Sequence, residues 1–407
     1  MRACQDFLLT RRRAFGLAGG FFAWANAPQL SSAANPRDRR FVVVVLRGAL
    51  DGLSAVAPVG DPRYVPLRER IALSLDGPTP AIRLDGFFAL HPAMPNLARL
   101  YNARQATFVH AVATGYRGRS HFEGQDVLES GRQGPGLVRD GWLNRLIGAL
   151  PAGQRIETKS ASLLGVGYTP PLIVRGTAPI LGWAPTRLTP PIDDTAERLA
   201  ELYRERDPQL AHVFSDSRES ARTVGADIAR RAGVSRVDQM SELARGAARL
   251  LAGEQGPRVA ALVFDGWDTH ANAGGASGPL ANRLHGLDAA IAVFESELAA
   301  SWRDTTLIVL TEFGRTAAIN GTIGTDHGTA TTAFLVGGSV KGGRILSDWP
   351  GLAQSQLLEG RALRPTLDVR ALAKGVLADI FSVSPKTLAN EIFPGTEQMA
   401  PIRDLIV

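Results

Sequence analysis

Cysteine is almost absent from this sequence of 407 residues, because the single one, Cys4, lies close to the N-terminus. If the N-terminal segment is removed on maturation, the remaining chain has no cysteine at all. Disulfide bonds, thiolate zinc sites, cysteine nucleophiles and iron–sulfur clusters are then excluded. Any catalytic or metal chemistry must therefore come from hydroxyl, imidazole and carboxylate groups.

The excess of positive over negative charge is also small beyond the N-terminus. The formal net charge is +6, and half of it comes from the first 34 residues, where four arginines stand against one aspartate. No dense cluster of lysine and arginine with interleaved aromatics follows, so nucleic acid is not expected as a partner. With 45% hydrophobic and 21% charged residues, the composition is globular, which excludes disorder, collagen and coiled coil as the main architecture.

The first 34 residues have the order of an export signal. Three arginines at 11–13 precede an apolar run from Leu17 to Ala25, and small residues follow. The run is far shorter than the roughly 20 residues of a membrane span, so no stable span is expected after processing. The Arg-Arg-x-Phe pattern ending at Phe15 resembles the twin-arginine signature. We therefore predict a signal peptide, the twin-arginine translocation machinery as a partner, and a periplasmic or secreted protein. A basic arm before a short helix is the alternative.

Short apolar runs rich in β-branched residues predict strands buried on both faces. They are Phe41–Leu46, Thr107–Ala113, Val259–Phe264, Thr306–Leu310 and Ala333–Val336. Apolar residues at steps of three and four from Leu280 to Leu298 predict an amphipathic helix between the third and fourth runs. A second such helix follows Asp368, a predicted N-cap. Strand, helix and strand in this order form a βαβ unit, so we expect an α/β fold with a mostly parallel central sheet flanked by helices.

Two middle regions depart from this pattern. Residues 151–191 contain seven prolines, which is typical of loops and short edge strands. Residues 193–252 carry charged, alanine-rich helical patterns, which predict a helical insertion on the core that could act as a lid. We expect a single elaborated domain over residues 35–407.

Residues able to carry chemistry follow the predicted strands. In open α/β sheets, functional groups gather beyond the carboxyl ends of the strands. They are Asp51 after the first strand; Arg117, Arg119, Ser120 and His121 after the second; Asp268 and His270 after the third; Glu312 after the fourth; and Asp326 and His327 before the fifth. Carboxylates together with imidazoles suit a divalent metal such as zinc, manganese, iron, magnesium or calcium.

Each of these positions also has a simpler explanation. Asp51 precedes a glycine and could belong to an ordinary turn. Ser120 begins a Ser-x-x-Glu capping box, which is compatible with catalysis because a helix N-terminus also stabilises an oxyanion. His121 could serve packing, and Glu312 could be a surface carboxylate paired with Arg315.

Five segments also carry a resemblance to a known family. They are LRGALDGL, GRSHFEGQDVLESG, FDGWDTH, LTEFGRT and DHG. In this order after an export signal, they resemble domain-of-unknown-function family 1501, and the resemblance extends from Phe41 to Ile380. That family is similar in fold to the alkaline phosphatase and sulfatase superfamily, whose members use a metal pair and a Ser, Thr or formylglycine nucleophile on phosphate or sulfate esters. The chain has no Cys-x-Pro-x-Arg sulfatase segment.

The resemblance implies a role for each candidate residue. Asp51 resembles a metal-bridging aspartate, Ser120 the nucleophile, and Asp268 with His270 the Asp-then-His pair of one metal. Glu312 stands where an Asp-His pair usually follows a strand. His327 resembles the late histidine that completes a metal site, or alternatively Asp326-His327 is itself the Asp-His pair. Either alignment lacks one ligand, so two ions, a single ion and a degenerate site all stay open.

Two functions follow from these patterns. The first is an exported, metal-dependent hydrolase of phosphate or sulfate esters, in which Ser120 and His121 are catalytic. Arg117 and Arg119 would clamp the anionic small-molecule ester. The alternative is a non-catalytic secreted binding or assembly protein on a degenerate phosphatase-like fold, working with a co-exported partner protein. The missing ligand favours the alternative, whereas the presence of Asp268, His270 and His327 opposes it.

Overall fold

The computed structural model describes residues 38–136, 138–150, 161–167, 169–185, 211–212, 214–215 and 236–407. The predicted signal peptide lies outside the described residues. Most of the predicted insertion over 193–252 also lies outside them, and the part described is chiefly its last helix, Arg236–Ala252.

Twelve strands are described. They are β1 (Arg40–Arg47), β2 (Val56–Ala57), β3 (Ile82–Arg83), β4 (Ala89–Leu90), β5 (Ala106–Ala113), β6 (Leu163–Val166), β7 (Ile180–Trp183), β8 (Val259–Asp265), β9 (Thr305–Thr311), β10 (Thr331–Val336), β11 (Arg344–Leu346) and β12 (Leu367–Asp368). The five predicted strands correspond to β1, β5, β8, β9 and β10, so all five predictions are confirmed. Two short strands, β6 and β7, fall in the proline-rich region; β7 is an edge strand as expected, whereas β6 lies between β8 and β7.

The α-helices of the described residues are α1 (Gly52–Ala55), α2 (Tyr64–Arg68), α3 (Pro95–Asn102), α4 (His121–Ser130), α5 (Trp142–Ala149), α6 (Arg236–Ala252), α7 (Pro279–Glu297), α8 (Val369–Phe381) and α9 (Pro385–Thr387). Helix α7 is the predicted amphipathic helix between β8 and β9. Asp368 caps α8 as expected, because its side chain accepts a hydrogen bond from the amide of Arg370.

The central sheet has the strand order β11-β5-β10-β9-β1-β8-β6-β7, and β12 pairs with β5 at one side. Every pairing is parallel except those of β10, which runs antiparallel to both β5 and β9. The predicted mostly parallel α/β sheet is therefore confirmed. A separate small sheet has the order β2-β4-β3.

Both faces of the central sheet are covered by apolar side chains. Val42, Val44 and Leu46 of β1 belong to one core, which also contains residues of α3, α6 and α7. The alternating residues Val43 and Val45 belong to the other core, with residues of α5 and α8. This coverage explains why β1 reads as a continuous apolar run rather than as an alternating one.

The reversed direction of β10 decides where the functional loops meet. An antiparallel strand begins at the edge where its parallel neighbours end. The loop before Thr331 therefore lies at the carboxyl edge of β1, β5, β8 and β9. This edge collects all the strand-end candidates. None of the described helices has the length and apolar character required to cross a membrane.

Candidate metal centre

The loop after β1 packs closely against the turn after β8. Gly48 has φ 115° and the buried Ala49 has φ 66°, so both occupy the left-handed region. A Cβ at Gly48 would lie 2.6 Å from the backbone nitrogen of Asp268, so only glycine allows this approach. A buried non-glycine residue in this region is a form of backbone strain that gathers at functional sites.

Helix α4 begins at the edge of the sheet with Ser120 as its N-cap. The Ser120 hydroxyl accepts a long hydrogen bond from the amide of Glu123, 3.4 Å. Glu123 does not complete the capping box. Its carboxylate instead accepts a hydrogen bond from the Tyr116 hydroxyl at 2.5 Å. The hydroxyl oxygen of Tyr116 in turn accepts from the Ser120 amide at 3.1 Å. The hydrogen bond of the Ser120 hydroxyl is therefore weak. Tyr116, and not Glu123, accepts the hydrogen bond from the Ser120 amide that would complete a capping box.

His121, the first residue of α4, is oriented by a buried carboxylate. Its Nδ1 lies 2.8 Å from Oε1 of Glu312, which can only accept, so Nδ1 carries the proton in a neutral ring. Glu312 is 0% exposed and also accepts from the Gly48 amide at 2.8 Å. The opposite nitrogen of His121, Nε2, is buried without a hydrogen-bond partner among the described residues and lies 3.4 Å from Oδ2 of Asp268.

Asp268, after β8, is positioned by Arg315. The Arg315 guanidinium is fully buried, and its Nη1 donates to Oδ1 of Asp268 at 2.6 Å. Two further donors of Arg315 go to the hydroxyl and the carbonyl of Thr325. Unlike Arg315, the Asp268 carboxylate is 40% exposed. Arg315 therefore fixes one carboxylate oxygen from below while the other stays available at the surface.

His270 and His327 bring two more imidazoles to Asp268. Nδ1 of His327 lies 2.7 Å from the carbonyl oxygen of Arg119, and Nδ1 of His270 lies 3.2 Å from Oδ1 of Asp326. The Arg119 carbonyl accepts only, so a neutral His327 carries its proton on Nδ1 and leaves Nε2 bare. Nε2 of His270 lies 2.9 Å from that atom and 3.2 Å from Oδ1 of Asp268, so either nitrogen of His270 can carry its proton. Nε2 of His270 therefore either donates to His327 or shares a cation with it.

The donor set fits a divalent cation. One donor atom each from His121, Asp268 and His327 lie within 4.8 Å of one another, and this cluster could hold a metal ion. Each histidine donates its other nitrogen to an oxygen acceptor, which is the arrangement that orients imidazole ligands in metal sites. Imidazole-rich sets with one carboxylate suit zinc, manganese or iron better than the oxygen-preferring magnesium and calcium.

The charge states of the cluster also suit a cation. Burial raises the pKa of Asp268, but the hydrogen bond and the charge of Arg315 outweigh it and hold this pKa below its ordinary value. Burial lowers the pKa of His327, which favours the neutral ring. The hydrogen bond to Glu312 raises the pKa of His121, so a proton competes with a cation for Nε2. Metal affinity should therefore fall on acidification.

Asp51 lies near this cluster but is engaged by protein donors. Its Oδ1 accepts from the Ser54 amide at 3.1 Å, which caps α1, and its Oδ2 forms a buried ion pair with Arg68. The Thr325 hydroxyl lies 3.4 Å from the same Oδ2 and also contacts Arg315. Asp51 is thus more than the ordinary turn residue considered above, and its role as a metal ligand stays a prediction.

The two arginines predicted to clamp substrate differ in position. Nη1 of Arg117 donates to the carbonyls of Thr114 and Tyr116, at 2.5 and 2.8 Å, and so braces its own loop. The Arg119 side chain is half-exposed and pairs with Glu359. The carbonyl of Arg119 holds His327, so this residue touches the cluster through its backbone. Substrate binding by either side chain stays a prediction.

The prediction that Glu312 could be a surface carboxylate paired with Arg315 is wrong. Glu312 is buried, and Arg315 pairs with Asp268 instead. Gln125 is a further residue of the site, because its amide donates to Oε1 of Glu312 at 3.3 Å. No sequence prediction included it, although its position four residues after His121 on one helix face was a usable signal. Nothing in the sequence pattern indicated Arg68 as the partner of Asp51.

The loop before β10 holds a further residue that the sequence did not reveal. The Asn320 amide donates to Oδ1 of Asp326 at 3.0 Å and to the carbonyl of His270 at 2.8 Å. It thereby fixes the carboxylate that orients His270. The asparagine precedes a glycine, which is a common turn pair, so its sequence context suggested only a turn.

The fold and the cluster define an α/β protein with a histidine–carboxylate centre at the carboxyl edge of its sheet. Residues 38–392 match the model of the family described as protein of unknown function (DUF1501). The chain belongs to that family, as its five sequence segments indicated. No curated protein matches the sequence.

Several solved structures align with the chain at low identity. Ps i-CgsB in complex with k-i-k-neocarrahexaose is 13% identical, with 89% of this chain and 75% of that chain covered and a TM-score of 0.42. The phosphonate monoester hydrolase of Agrobacterium radiobacter is 14% identical, with 76% and 70% covered and a TM-score of 0.34. A protein of the alkaline phosphatase superfamily from Vibrio parahaemolyticus is 13% identical, with 89% and 70% covered and a TM-score of 0.36. These TM-scores are too low to carry an argument about activity.

Changing Glu312 to Gln tests its role as the group that orients His121. We expect the metal affinity to fall roughly 10- to 100-fold, because outer-shell partners of ligating histidines contribute about that much. A competitive titration against a chromophoric chelator measures this, with Glu254→Gln, an exposed glutamate, as the control. Unchanged affinity would contradict the orienting role, and complete loss would place Glu312 among the ligands themselves.

Proposed function

We propose that this protein is an exported, metal-dependent hydrolase of phosphate or sulfate esters. The observation that carries the proposal is the meeting of bare imidazole nitrogens with the Asp268 carboxylate at the start of α4. His121 and His327 have their Nδ1 atoms turned to acceptors, so their Nε2 atoms present lone pairs beside the Asp268 carboxylate. A cation there would bind both nitrogens and the carboxylate at once.

Ser120 supplies the nucleophile in this proposal. Its hydroxyl lies at the N-terminus of α4, where free amides and the helix dipole favour negative charge. Because its capping bond is long, the hydroxyl gives up little when it turns toward an ester. A bound divalent cation would polarise the ester oxygen and lower the pKa of the serine hydroxyl. His121 follows Ser120 directly and is held by Glu312, which supports a shared catalytic role for the two residues in this proposal.

Positive side chains support the binding of an anionic ester. A donor of Arg361 lies 3.4 Å from the carbonyl oxygen of His327, so the positive charge of Arg361 lies beside the cluster. Arg119 is half-exposed beside the same loop and could exchange its surface partner Glu359 for a substrate anion, because an exposed ion pair contributes little stability. Guanidinium groups recognise phosphate and sulfate through paired hydrogen bonds.

Turnover of a substrate panel tests the proposal. The protein is loaded with zinc, manganese or iron and offered aryl phosphates, phosphodiesters and aryl sulfates. We expect a rate on at least one ester class, and we expect Asp268→Asn to lose most of it because the cluster loses its carboxylate charge. Asp76→Asn, an exposed carboxylate with no part in the cluster, is the matched control and should stay within about twofold. No turnover by the metal-loaded protein on any ester would reject the hydrolase.

A second candidate, a non-catalytic secreted binding or assembly module, is favoured by one observation. Asp51 and Glu312 both have their oxygens occupied by protein donors, which leaves fewer free carboxylates than a two-metal centre needs. A metal-loaded protein that binds an ester analogue at the cluster without cleaving any panel substrate would favour the module.

Export by the twin-arginine route is part of the proposal and has its own test. Changing Arg12 and Arg13 together to Lys should leave precursor in the cytoplasm, because the pathway reads the arginine pair. Immunoblots of cell fractions should show shortened protein, lacking about 34 residues, only with the unchanged signal. Arg2→Lys, which lies outside the pair, is the control. Unchanged secretion in a strain without the pathway would contradict this prediction.

A further inference from the structure

A second charged feature lies away from the metal centre. A cleft of about 860 Å³ opens between the loop after α4 and the segment that follows the short 3₁₀ turn Leu172–Val174. Its lining includes Arg132, Arg139, Asp140 and Arg175, and we call it the arginine cleft. Helix α4 separates it from His121, and ten helical residues span roughly 15 Å.

The positive charges of the arginine cleft exceed its negative charge. Among the described residues of its lining, Asp140 is the only carboxylate, and Arg132 and Arg145 both contact the same Asp140 oxygen, at 3.4 and 2.9 Å. Arg139 is exposed and makes no ion pair or side-chain hydrogen bond within the described part of the chain. Arg175 uses only Nε, which donates to the carbonyl of Pro170 at 2.8 Å. Two guanidinium heads are therefore available to a ligand.

One residue of the cleft lining also has a buried donor that lacks an acceptor. Nε of Arg132 is buried and has no hydrogen-bond partner among the described residues. Leaving a charged donor buried without an acceptor costs free energy, so a nearby anion that lets Arg132 reorient would be stabilised. The volume of the cleft falls within the range of small-molecule sites and exceeds what a single oxyanion fills.

We propose that the arginine cleft is a binding site for a ligand that carries two or more oxyanion groups, either phosphate or sulfate. Arg139 and Arg175 would each engage one such group through the paired hydrogen bonds that a guanidinium forms with oxyanions. Asp140 would keep Arg132 directed into the cleft. The inference does not depend on the proposed hydrolase activity, because none of these residues belongs to the metal centre.

Calorimetric titration of the full protein, freed of metal with a chelator, tests the site, because pyrophosphate would otherwise bind the metal and phosphate esters could bind at the metal centre. The probes are inorganic pyrophosphate, which is two linked phosphate groups, and glucose 1,6-bisphosphate, which carries two phosphates on a sugar. Glucose is the uncharged control. The test variant is Arg139→Gln with Arg175→Gln. The matched control is Arg63→Gln with Arg83→Gln, two exposed arginines outside the cleft that change the net charge equally.

We expect at least one phosphate probe to bind the wild type. Its affinity for the cleft variant should be roughly tenfold lower, and its affinity for the control variant should lie within about twofold of the wild-type value. The preferred probe distinguishes a free anion from a phosphorylated sugar. Arg139→Gln alone, which breaks no side-chain hydrogen bond among the described residues, should also weaken binding, so a folding defect from Arg175 cannot mimic the result. Equal losses in both double variants, wild-type affinity in the cleft variant, or no binding by the wild type would overturn the proposal.

Discussion

Ser120→Gly should lose turnover by about a thousandfold or more on any ester that the wild type cleaves, while its melting temperature stays close to that of the wild type. A nucleophile cannot be replaced by a hydrogen atom without losing the covalent step. A capping serine replaced by glycine costs only a few tenths of a kcal/mol. The capping bond here is 3.4 Å long, which keeps the expected stability change at the small end.

The control for this variant is Ser384→Gly. Ser384 also caps a helix through its hydroxyl, which accepts from the Thr387 amide at 3.1 Å, and it is exposed and far along the chain from the metal centre. It should melt slightly lower and turn over substrate at the wild-type rate. Steady-state rates and melting temperatures of both variants show whether Ser120 acts as a nucleophile or only as a helix cap. If Ser120→Gly matches the wild-type rate, the serine is a helix cap and the proposed mechanism fails.

His327→Ala should bind its metal on the order of 100-fold more weakly or worse, because it removes a ring that belongs to the three-residue cluster. A ligand that binds only the folded state stabilises it by mass action, by about 2.7 kcal/mol when its concentration is 100 times Kd. Adding a chelator should therefore lower the melting temperature of the wild type and leave that of the variant almost unchanged.

His327→Ala should also lower the stability of the metal-free protein, because the ring donates a hydrogen bond to the Arg119 carbonyl. The informative quantity is therefore the shift caused by the chelator, and not the melting temperature itself. His285→Ala, an exposed histidine on α7, is the matched control and should respond to the chelator like the wild type. An equal response from wild type and His327→Ala would remove His327 from the site.

The sheet could be predicted because its signal is local. The run from Phe41 to Leu46 and the stripe from Leu280 to Leu298 show their burial in sequence spacing alone, and both became elements with the expected bounds to within two residues. The caps at Ser120 and Asp368 were equally visible, since a cap depends on residues three positions apart or fewer.

The pairing within the centre could not be predicted, because it depends on long-range contacts. The Gly48 amide and Glu312 are 264 positions apart, and Arg315 and Asp268 are 47 apart. Sequence spacing says which loops reach one edge of the sheet, but it does not say which carboxylate meets which donor. The antiparallel course of β10 was equally hidden, since a buried apolar strand has the same pattern in either direction.

Elemental analysis of the protein, purified from the cells that produce it without chelator or added metal, decides whether His121, Asp268 and His327 hold a metal ion. We expect about one divalent transition metal per chain, lost together with chelator-sensitive stability in His327→Ala and retained in His285→Ala. A wild type with no metal, and with a melting temperature that neither chelator nor added zinc, manganese or iron changes, would contradict the claim that these histidines and Asp268 form a metal centre.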